Sequence, residues 1–255
     1  MIDIEQVKRI ARAAGAAILE VYGTEFAVDV KSDDSPLTDA DRRSNAVILA
    51  GLAEMAPDVP VISEETQALP YEQRRSWEQF WLVDPLDGTK EFVKRNGEFT
   101  VNIALVRGTV PVAGVVYQPV GDHLYWAVEG QGAWKSSGGA SAVRLQSSPH
   151  YSELDEVVVV ASRSHLTEEV REFVASLEGE GKRVEFRSAG SSLKLCLVAE
   201  GVADVYPRLG PTMEWDTAAA HAVALEAGRR VVEHGTGEAL RYNKENLLNP
   251  YFIVE

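Results

Sequence analysis

Two carboxylates three positions apart lie in a short segment controlled by proline and glycine, Asp84-Pro85-Leu86-Asp87-Gly88-Thr89. The apolar run at 80–83 before them predicts a buried strand, and ligand sites in α/β sheets gather where strands end. Proline fixes one φ angle, while glycine lets the backbone turn sharply and approach a ligand closely. We therefore expect a turn that aims both carboxylates and the Leu86 carbonyl at one point. An Asx-turn or a helix cap would explain the same Asp-Gly pair without a ligand.

Two further acidic segments favour a ligand site over a simple turn. Glu64, in Ser63-Glu64-Glu65, follows a short apolar run, and Asp216 opens an alanine-rich helix, where it could also be an N-cap. If these segments converge with the first, their carboxylates crowd one cleft, and two charges about 4 Å apart repel by about 4 kcal/mol at an effective dielectric constant of about 20. Either the carboxyl pKa values rise or cations bind between them. Oxygen ligands without histidine or cysteine favour Mg²⁺ or Mn²⁺ over zinc.

Competing chemistries lack their motifs. The sequence contains no phosphate-binding Gly-x4-Gly-Lys-Ser/Thr loop, no Gly-x-Ser-x-Gly nucleophile elbow and no dinucleotide-binding glycine fingerprint. The single cysteine, Cys196, lies in an apolar helical segment, which favours a core position over a nucleophile. Metal-dependent phosphate-ester hydrolysis needs no covalent nucleophile, because metal ions make a bound water acidic. The acidic set therefore predicts a Mg²⁺ or Mn²⁺ site, with which metal-dependent phosphate-ester hydrolysis is compatible.

The composition is that of a globular protein that does not bind a nucleic-acid polymer. With 255 residues, 45% of them hydrophobic, the chain can form one large domain or two packed halves. A net charge of −14 argues against a polynucleotide partner but permits a small anionic substrate beside bound cations. One cysteine excludes an internal disulfide and fits a reducing cytoplasm. We expect no secretory signal and no transmembrane segment, since no apolar run reaches about 18 residues.

Hydrophobic periodicity predicts layers of helices and strands. Apolar residues at spacings of three and four predict helices at 4–22 and 39–55. Alternating and β-branched runs predict strands at 59–62, 80–83, 99–106, 110–118 and 122–134. Beyond the loop at 136–140, strand and helix patterns alternate, which is typical of an α/β layer. We place a boundary in this loop, between an N-terminal metal-binding α+β half at 1–140 and a C-terminal α/β half at 141–255.

Three segments carry a resemblance to a known enzyme family. They are the run from Trp81 to Phe92, the run Gly190-Ser191-Ser192-Leu193-Lys194 and the run from Ala203 to Arg208. Together with Glu64 and Trp215-Asp216, they resemble the inositol monophosphatase superfamily of lithium-sensitive phosphomonoesterases, and within it the CysQ-type 3′(2′),5′-bisphosphate nucleotidases. The resemblance covers nearly the whole chain. It implies an αβαβα sandwich of the inositol monophosphatase and fructose bisphosphatase type, in which the C-terminal half completes the active site and binds the nucleotide.

The resemblance also implies a reaction. The enzyme would hydrolyse the 3′-phosphate of adenosine 3′,5′-bisphosphate (PAP) to give AMP and phosphate in sulfur assimilation, with 3′-phosphoadenosine 5′-phosphosulfate (PAPS) as a further substrate. The alternatives are inositol monophosphatase or fructose-1,6-bisphosphatase activity, and a non-catalytic nucleotide sensor that kept the fold. A monomer and a homodimer both fit, in the cytoplasm or on the cytoplasmic face of the inner membrane.

For the metal ions, the resemblance implies two Mg²⁺ sites, which Mn²⁺ can also fill and Li⁺ inhibits. Glu64, Asp84 and the Leu86 carbonyl would hold one ion. Asp84, Asp87 and Asp216 would hold the other.

The catalytic set implied by the resemblance is Asp41, Thr89 and Glu64. Asp41 and Thr89 would orient and deprotonate the attacking water, beside a third and weaker metal ion. Asp41 lies in the segment Leu37-Thr38-Asp39-Ala40-Asp41, and without the resemblance it would be an early-helix acid favoured by the helix dipole.

A further set is implied for the substrate: Gly88, Thr89, Ser191, Lys194, Arg208, His165 and Asp216. Ser191, Lys194 and Arg208 match positions that the family uses on the non-reacting phosphate and the ribose, and arginine suits bidentate contact with phosphate. For His165 and the nearby Arg163, a solvated loop is an equally good explanation. In one departure, the family follows its Trp-Asp pair with Ala-Ala-Gly, whereas this chain has Ala218-Ala219-Ala220. That change affects how closely the backbone approaches the substrate rather than metal binding.

Overall fold

The computed structural model describes residues 2–30, 36–66, 69–146, 148–161 and 167–255. Its helices are α1 (Ile4–Tyr22), α2 (Asp39–Met55), α3 (Tyr71–Arg74), α4 (Thr89–Val93), α5 (Glu168–Gly179), α6 (Leu193–Ala199) and α7 (Glu214–Glu226). Its strands are β1 (Val28–Val30), β2 (Pro36–Thr38), β3 (Val61–Ser63), β4 (Gln79–Asp87), β5 (Thr100–Arg107), β6 (Val110–Gln118), β7 (His123–Val128), β8 (Gly132–Ser137), β9 (Val143–Arg144), β10 (Glu156–Ala161), β11 (Arg183–Ser188), β12 (Tyr206–Arg208), β13 (Val231–Glu233) and β14 (Phe252–Val254).

Capping side chains fix the starts of the two long N-terminal helices. Asp3 accepts a hydrogen bond from the Gln6 N–H at 3.0 Å at the start of α1. The Thr38 hydroxyl accepts from the Ala40 N–H at 3.2 Å at the start of α2. Such caps satisfy N–H groups that have no partner within the helix. The helices predicted at 4–22 and 39–55 are therefore confirmed with those bounds.

A seven-stranded sheet in the order β3-β4-β5-β6-β7-β8-β9 forms the centre of the fold. β3 runs parallel to β4, and the other neighbours are antiparallel. The single strand predicted at 122–134 is wrong, because the chain folds there into the hairpin of β7 and β8. Gly130 and Gly132 have φ angles of +74° and +80° at that turn, a conformation that glycine adopts without strain.

Helices and smaller sheets cover the two faces of the large sheet. α1 and α2 pack on one face, where Ile10, Ile48 and Val83 share a core. α6 and α7 pack on the other face, and a Cβ on Gly114 of β6 would lie 2.2 Å from the Ala219 carbonyl of α7. This helix therefore rests directly on the sheet backbone.

The outer layers complete the sandwich. β10 pairs with β11, and β12-β14-β13 form a second small sheet, joined to the first by a bridge between Val159 and Val205. α5 covers these strands, with Val174 and Leu177 packed against Val157. The layers alternate as α, β, α, β and α, which confirms the predicted αβαβα architecture.

β4 carries the Asp84 motif within the strand rather than on a turn after it. The strand continues to Asp87, with Asp84 opposite Asn102 and Asp87 opposite Thr100 of β5. Between these two pairs, β4 advances by three residues and β5 by two, so β4 contains a bulge of one extra residue. The predicted turn at this position is wrong because a bulge accommodates proline, which has no N–H for the ladder.

The division into halves at 140 stays a prediction. β9, at 143–144, pairs with β8, so the large sheet extends beyond that point.

None of the helices in the described ranges combines the length and hydrophobicity that crossing a bilayer requires.

Candidate active site

Glu64 and Asp84 lie at the ends of neighbouring parallel strands. Glu64 follows β3 directly, and its N–H donates to the Val83 carbonyl of β4 at 3.1 Å. Asp84 is buried, and its Oδ1 accepts from the Leu86 N–H at 3.0 Å. Because β3 and β4 run parallel, both side chains reach the same edge of the sheet.

Asp216 reaches that edge from the helix layer. It is the third residue of α7 and not the N-cap, a position that Met213 occupies. Its Oδ2 accepts from the Met213 N–H at 2.9 Å. Carboxylate oxygens of Glu64, Asp84 and Asp216 lie within 4.8 Å of one another. The structure thus brings together acids from β3, β4 and α7.

Asp87 lines the same cleft and is held by a buried polar network. Its Oδ2 accepts from the Ser192 N–H at 2.5 Å and from Asn102 Nδ2 at 3.3 Å. The Ser192 hydroxyl donates to Asn102 Oδ1 at 2.9 Å and lies 2.9 Å from Thr100 Oγ1. Sequence analysis assigned none of Thr100, Asn102 and Ser192 a role in the site. The available sign was that Thr100 and Asn102 are polar residues two positions apart in a segment of β5 that is otherwise apolar up to residue 106.

Burial and mutual repulsion disfavour the charged forms of these carboxyls. The pKa of Asp84 lies well above its usual value because of burial and then the charges of Glu64, Asp87 and Asp216. Burial raises the pKa of Asp87 to about 6, although the Lys194 ammonium opposes this shift. The pKa of Asp216 is also well raised, first by burial and then by Asp87. Positive charge placed among these groups would restore their ionised forms.

The cleft suits a divalent metal ion in both space and charge. It has a volume of about 360 Å³ and is lined by Glu64, Asp84, Leu86, Asp87 and Asp216 among others. In the part of the chain that the structure describes, the group of side chains placed to share a metal consists of carboxylates alone. Hard oxygen donors of this kind are those that Mg²⁺ prefers. The residues therefore fit a divalent cation.

Asp41 both caps α2 and contacts Thr89. Its Oδ2 accepts from the Thr38 N–H at 2.8 Å and from the Thr38 hydroxyl at 2.6 Å. The Thr89 hydroxyl lies 3.3 Å from Asp41 Oδ1 and 3.4 Å from the Leu86 carbonyl. One carboxylate thus fills the early-helix role and also forms a hydroxyl–carboxylate pair at the cleft.

Gly88 and Ser191 meet beside the cleft. Gly88 has a φ of +91°, and a Cβ there would lie 3.2 Å from the Glu98 carbonyl and 3.3 Å from Ser191 Cβ, so conformation and space both favour glycine. Ser191 has a φ of +47°. Its Oγ is buried and has no hydrogen-bond partner among the described residues. A buried hydroxyl without a partner in a cavity wall points to a ligand atom.

Lys194 and Arg208 line a cavity of about 130 Å³ together with Ser191. Lys194 is buried, its Nζ donates to the Ser191 carbonyl at 2.7 Å, and burial lowers its pKa to about 8. Arg208 Nη2 donates to the Pro211 carbonyl at 2.7 Å. The Arg208 Nε is buried without a partner in the described ranges, so its N–H can donate a hydrogen bond to a ligand.

The remaining sequence positions lie away from this site or outside the described structure. His165 and Arg163 are outside the described residues. Ala220 is buried in the core around α7 and is not part of the walls of the acidic cleft or the adjoining cavity. Cys196 is also fully buried, and burial raises the pKa of its thiol. Its predicted core position is confirmed.

Known proteins match nearly the whole chain. A model of the inositol monophosphatase family matches residues 3–251. The 3′(2′),5′-bisphosphate nucleotidase CysQ of Salmonella typhimurium is 50% identical over 254 residues, which cover 98% of each chain. The crystal structure of CysQ from Bacteroides thetaiotaomicron, a bacterial member of that family, has a TM-score of 0.85 at 52% identity and covers 96% of this chain and 94% of its own. A Thermotoga maritima IMPase shares the fold, with a TM-score of 0.79 at 24% identity over 100% of this chain and 92% of its own. The chain belongs to the inositol monophosphatase family.

Proposed function

We propose that this chain is a metal-dependent 3′(2′),5′-bisphosphate nucleotidase that converts PAP to AMP and phosphate, with PAPS as a further substrate. The observation that carries the proposal is the convergence of the Glu64, Asp84 and Asp216 carboxylates within 4.8 Å of one another. The relatives named for this activity support the substrate, since one of them is 50% identical over 98% of the chain.

We propose two Mg²⁺ sites in the acidic cleft. We assign Glu64, Asp84 and the Leu86 carbonyl to one ion, and Asp84, Asp87 and Asp216 to the other. Mn²⁺ would substitute, Li⁺ would inhibit, and a third and weaker ion would lie near Asp41. Divalent ions held there supply Lewis-acid chemistry, neutralising phosphate charge and making a water molecule more acidic. The raised pKa values of the carboxyls support this assignment, because bound cations would relieve the repulsion.

Asp41, Thr89 and Glu64 are assigned as the catalytic set, with Asp41 and Thr89 acting on the attacking water. The Thr89 hydroxyl donates to Asp41 Oδ1 at 3.3 Å, which leaves its oxygen lone pairs to accept from water. The proton of the water passes through this hydroxyl to the Asp41 carboxylate. As the water oxygen bonds to phosphorus, the bond from phosphorus to the ribose 3′-oxygen breaks, and that oxygen takes up a proton from solvent water.

The nucleotide is assigned mainly to the 141–255 half. Its residues Ser191, Lys194 and Arg208 line the cavity beside the cleft, and Gly88 lets the backbone of the other half approach them. His165 is assigned to the same substrate on the resemblance alone. We propose a cytoplasmic site of action, since a single cysteine suits a reducing compartment, for either a monomer or a homodimer.

Phosphate release from PAP, inositol 1-phosphate and fructose 1,6-bisphosphate tests this function. Each substrate is assayed with Mg²⁺, with a chelator, and with Mg²⁺ plus Li⁺. We expect at least a tenfold higher kcat/KM for PAP, no release with the chelator, and inhibition by Li⁺. A preference for inositol phosphate would reassign the substrate. Tight PAP binding without release of phosphate in Mg²⁺ would indicate a sensor instead.

A further inference from the structure

Lys90 lies where three cavities meet. It is the second residue of α4, directly after Thr89, and its side chain is exposed. It lines the acidic cleft, the adjoining cavity that contains Ser191, and a third cavity of about 340 Å³ that extends past Arg208 to the start of α5. A ligand that extends from the acidic cleft into either of the other cavities therefore passes this side chain.

The Lys90 ammonium group makes no polar contact with the described residues. Within the described ranges, its Nζ takes part in no hydrogen bond, ion pair or cation–π contact. The other two cations that line these cavities each donate hydrogen bonds to main-chain carbonyls, although the Arg208 Nε is unpaired in the described ranges. Lys194 donates to the Ala189 and Ser191 carbonyls at 3.3 and 2.7 Å, and Arg208 donates to the Pro211 carbonyl. Lys90 is thus the cation that can reorient towards a ligand without losing an existing contact.

A bisphosphate nucleotide brings two phosphates, and the acidic cleft accommodates only the one that reacts. Carboxylates around Asp84 repel any phosphate that is not neutralised by cations held among them. The phosphate that is not hydrolysed must therefore find positive charge outside the cleft. Lysine suits this task because its ammonium is a compact charge on a flexible stem.

We infer that Lys90 selects bisphosphate over monophosphate substrates by contacting the phosphate that is not hydrolysed. The inference rests on the proposed function, because it requires a substrate with a second phosphate. AMP retains that phosphate after the reaction. Lys90 therefore contributes equally to binding of the substrate and of the AMP product, and contributes little to the chemical step.

The test is Lys90→Gln, which removes the charge and keeps a polar side chain. A charge-assisted hydrogen bond corresponds to about 10- to 100-fold in affinity. We expect the KM for PAP to rise by about this factor while kcat changes less than about threefold. The dissociation constant of AMP, measured by calorimetry in Mg²⁺, should rise by the same factor. Inhibition by inorganic phosphate and the kcat/KM for adenosine 3′-monophosphate should change less than about threefold.

Two variants serve as controls. Lys90→Arg restores the charge and should recover most of the affinity for AMP. Lys94→Gln removes an equal charge from the exposed end of the same helix, away from the three cavities, and should bind AMP like the wild type.

The outcomes separate this inference from the proposed function. Failure of the wild-type protein to hydrolyse PAP would refute the proposed function and the role of Lys90 with it. If the wild type hydrolyses PAP but Lys90→Gln binds AMP normally, only the role of Lys90 is refuted. Equal weakening of AMP and inorganic phosphate would also refute it, because the lysine would then serve the reacting phosphate.

Discussion

Asp84→Asn separates a metal ligand from an ordinary structural acid. Asparagine keeps the shape of the side chain and an oxygen that can accept from the Leu86 N–H, now at 3.0 Å. It removes one negative charge from a cleft where oxygens of Glu64 and Asp216 lie within 4.8 Å. We expect loss of turnover, together with a gain in stability of the metal-free protein and a loss of stabilisation by Mg²⁺.

The size of the stability gain follows from Coulomb's law. Two unit charges 4.8 Å apart repel by about 3 kcal/mol at an effective dielectric constant of about 20. Because burial and the neighbouring carboxylates raise the pKa of Asp84 and so disfavour its charged form, the gain is smaller than the full repulsion. We expect the free energy of unfolding at pH 8 in a chelator to rise by about 1 to 3 kcal/mol. For a chain of this size, that corresponds to an increase in Tm of about 2 to 10 °C.

Thermal and urea unfolding, each with a chelator or with Mg²⁺, measure both effects. Asp58→Asn is the matched control, since it removes an equal charge from an exposed loop and should change stability by less than about 0.5 kcal/mol. Mg²⁺ at 100 times its dissociation constant should stabilise the wild type by about 3 kcal/mol and Asp84→Asn by much less. The reasoning is refuted if Asp84→Asn is less stable than the wild type in the chelator, or if Mg²⁺ stabilises both proteins equally.

Three further predictions concern the supporting groups. Thr89→Val removes the hydroxyl beside Asp41 and should lower kcat by about 10²- to 10⁴-fold with AMP binding unchanged. Thr89→Ser keeps the hydroxyl, so comparable activity of the two variants would contradict this role. Asn102→Ala removes a hydrogen bond to Asp87 and should raise the Mg²⁺ concentration for half-maximal activity by about 10- to 100-fold, which a Mg²⁺ titration of phosphate release measures; an unchanged titration argues against that support. Asp87 has a folded-state pKa of about 6 against an ordinary value of 3.8, so the unfolded state loses this proton first as the pH rises. The metal-free protein should therefore lose stability between about pH 4 and 6, as urea unfolding in a chelator would show, and a constant or rising stability over that range would contradict the buried cluster.

The sequence predicts best those features that depend on local pattern. α1 and α2 have the predicted bounds, because their apolar spacing and their capping residues Asp3 and Thr38 act over a few neighbouring positions. The bulge in β4 and the β7–β8 hairpin were not predicted. The bulge depends on pairing with β5, which is separated from β4 by α4. The hairpin interrupts the run at 122–134, whose residues favour a strand on both sides of the turn.

The same limit applies to the site. The acids of the Asp84 motif could be proposed from proline, glycine and a preceding strand, because all of these are adjacent in the sequence. The Thr100–Asn102–Ser192 network could not, since it joins β5 to the start of α6, and nothing in the run that contains Ser192 indicates a hydrogen bond to β5. The sequence also could not predict that the Lys90 ammonium is unpaired, because this depends on which residues distant in the sequence lie near it in the fold.

In the proposed metal site, the bulge in β4 would supply an oxygen that belongs to no side chain. In a flat ladder, side chains two positions apart already emerge on the same side, so two aspartates could share a cleft without any bulge. Because of the extra residue, two carbonyls of β4 do not take part in the ladder with β5. The Ser44 hydroxyl donates to the Pro85 carbonyl at 2.6 Å, and the Leu86 carbonyl faces Thr89. A chain shortened by one residue here would keep both acids side by side but return a neutral main-chain acceptor to the ladder. Point substitution can neither create nor delete that acceptor, so the length of this segment matters to the chemistry as much as its composition does.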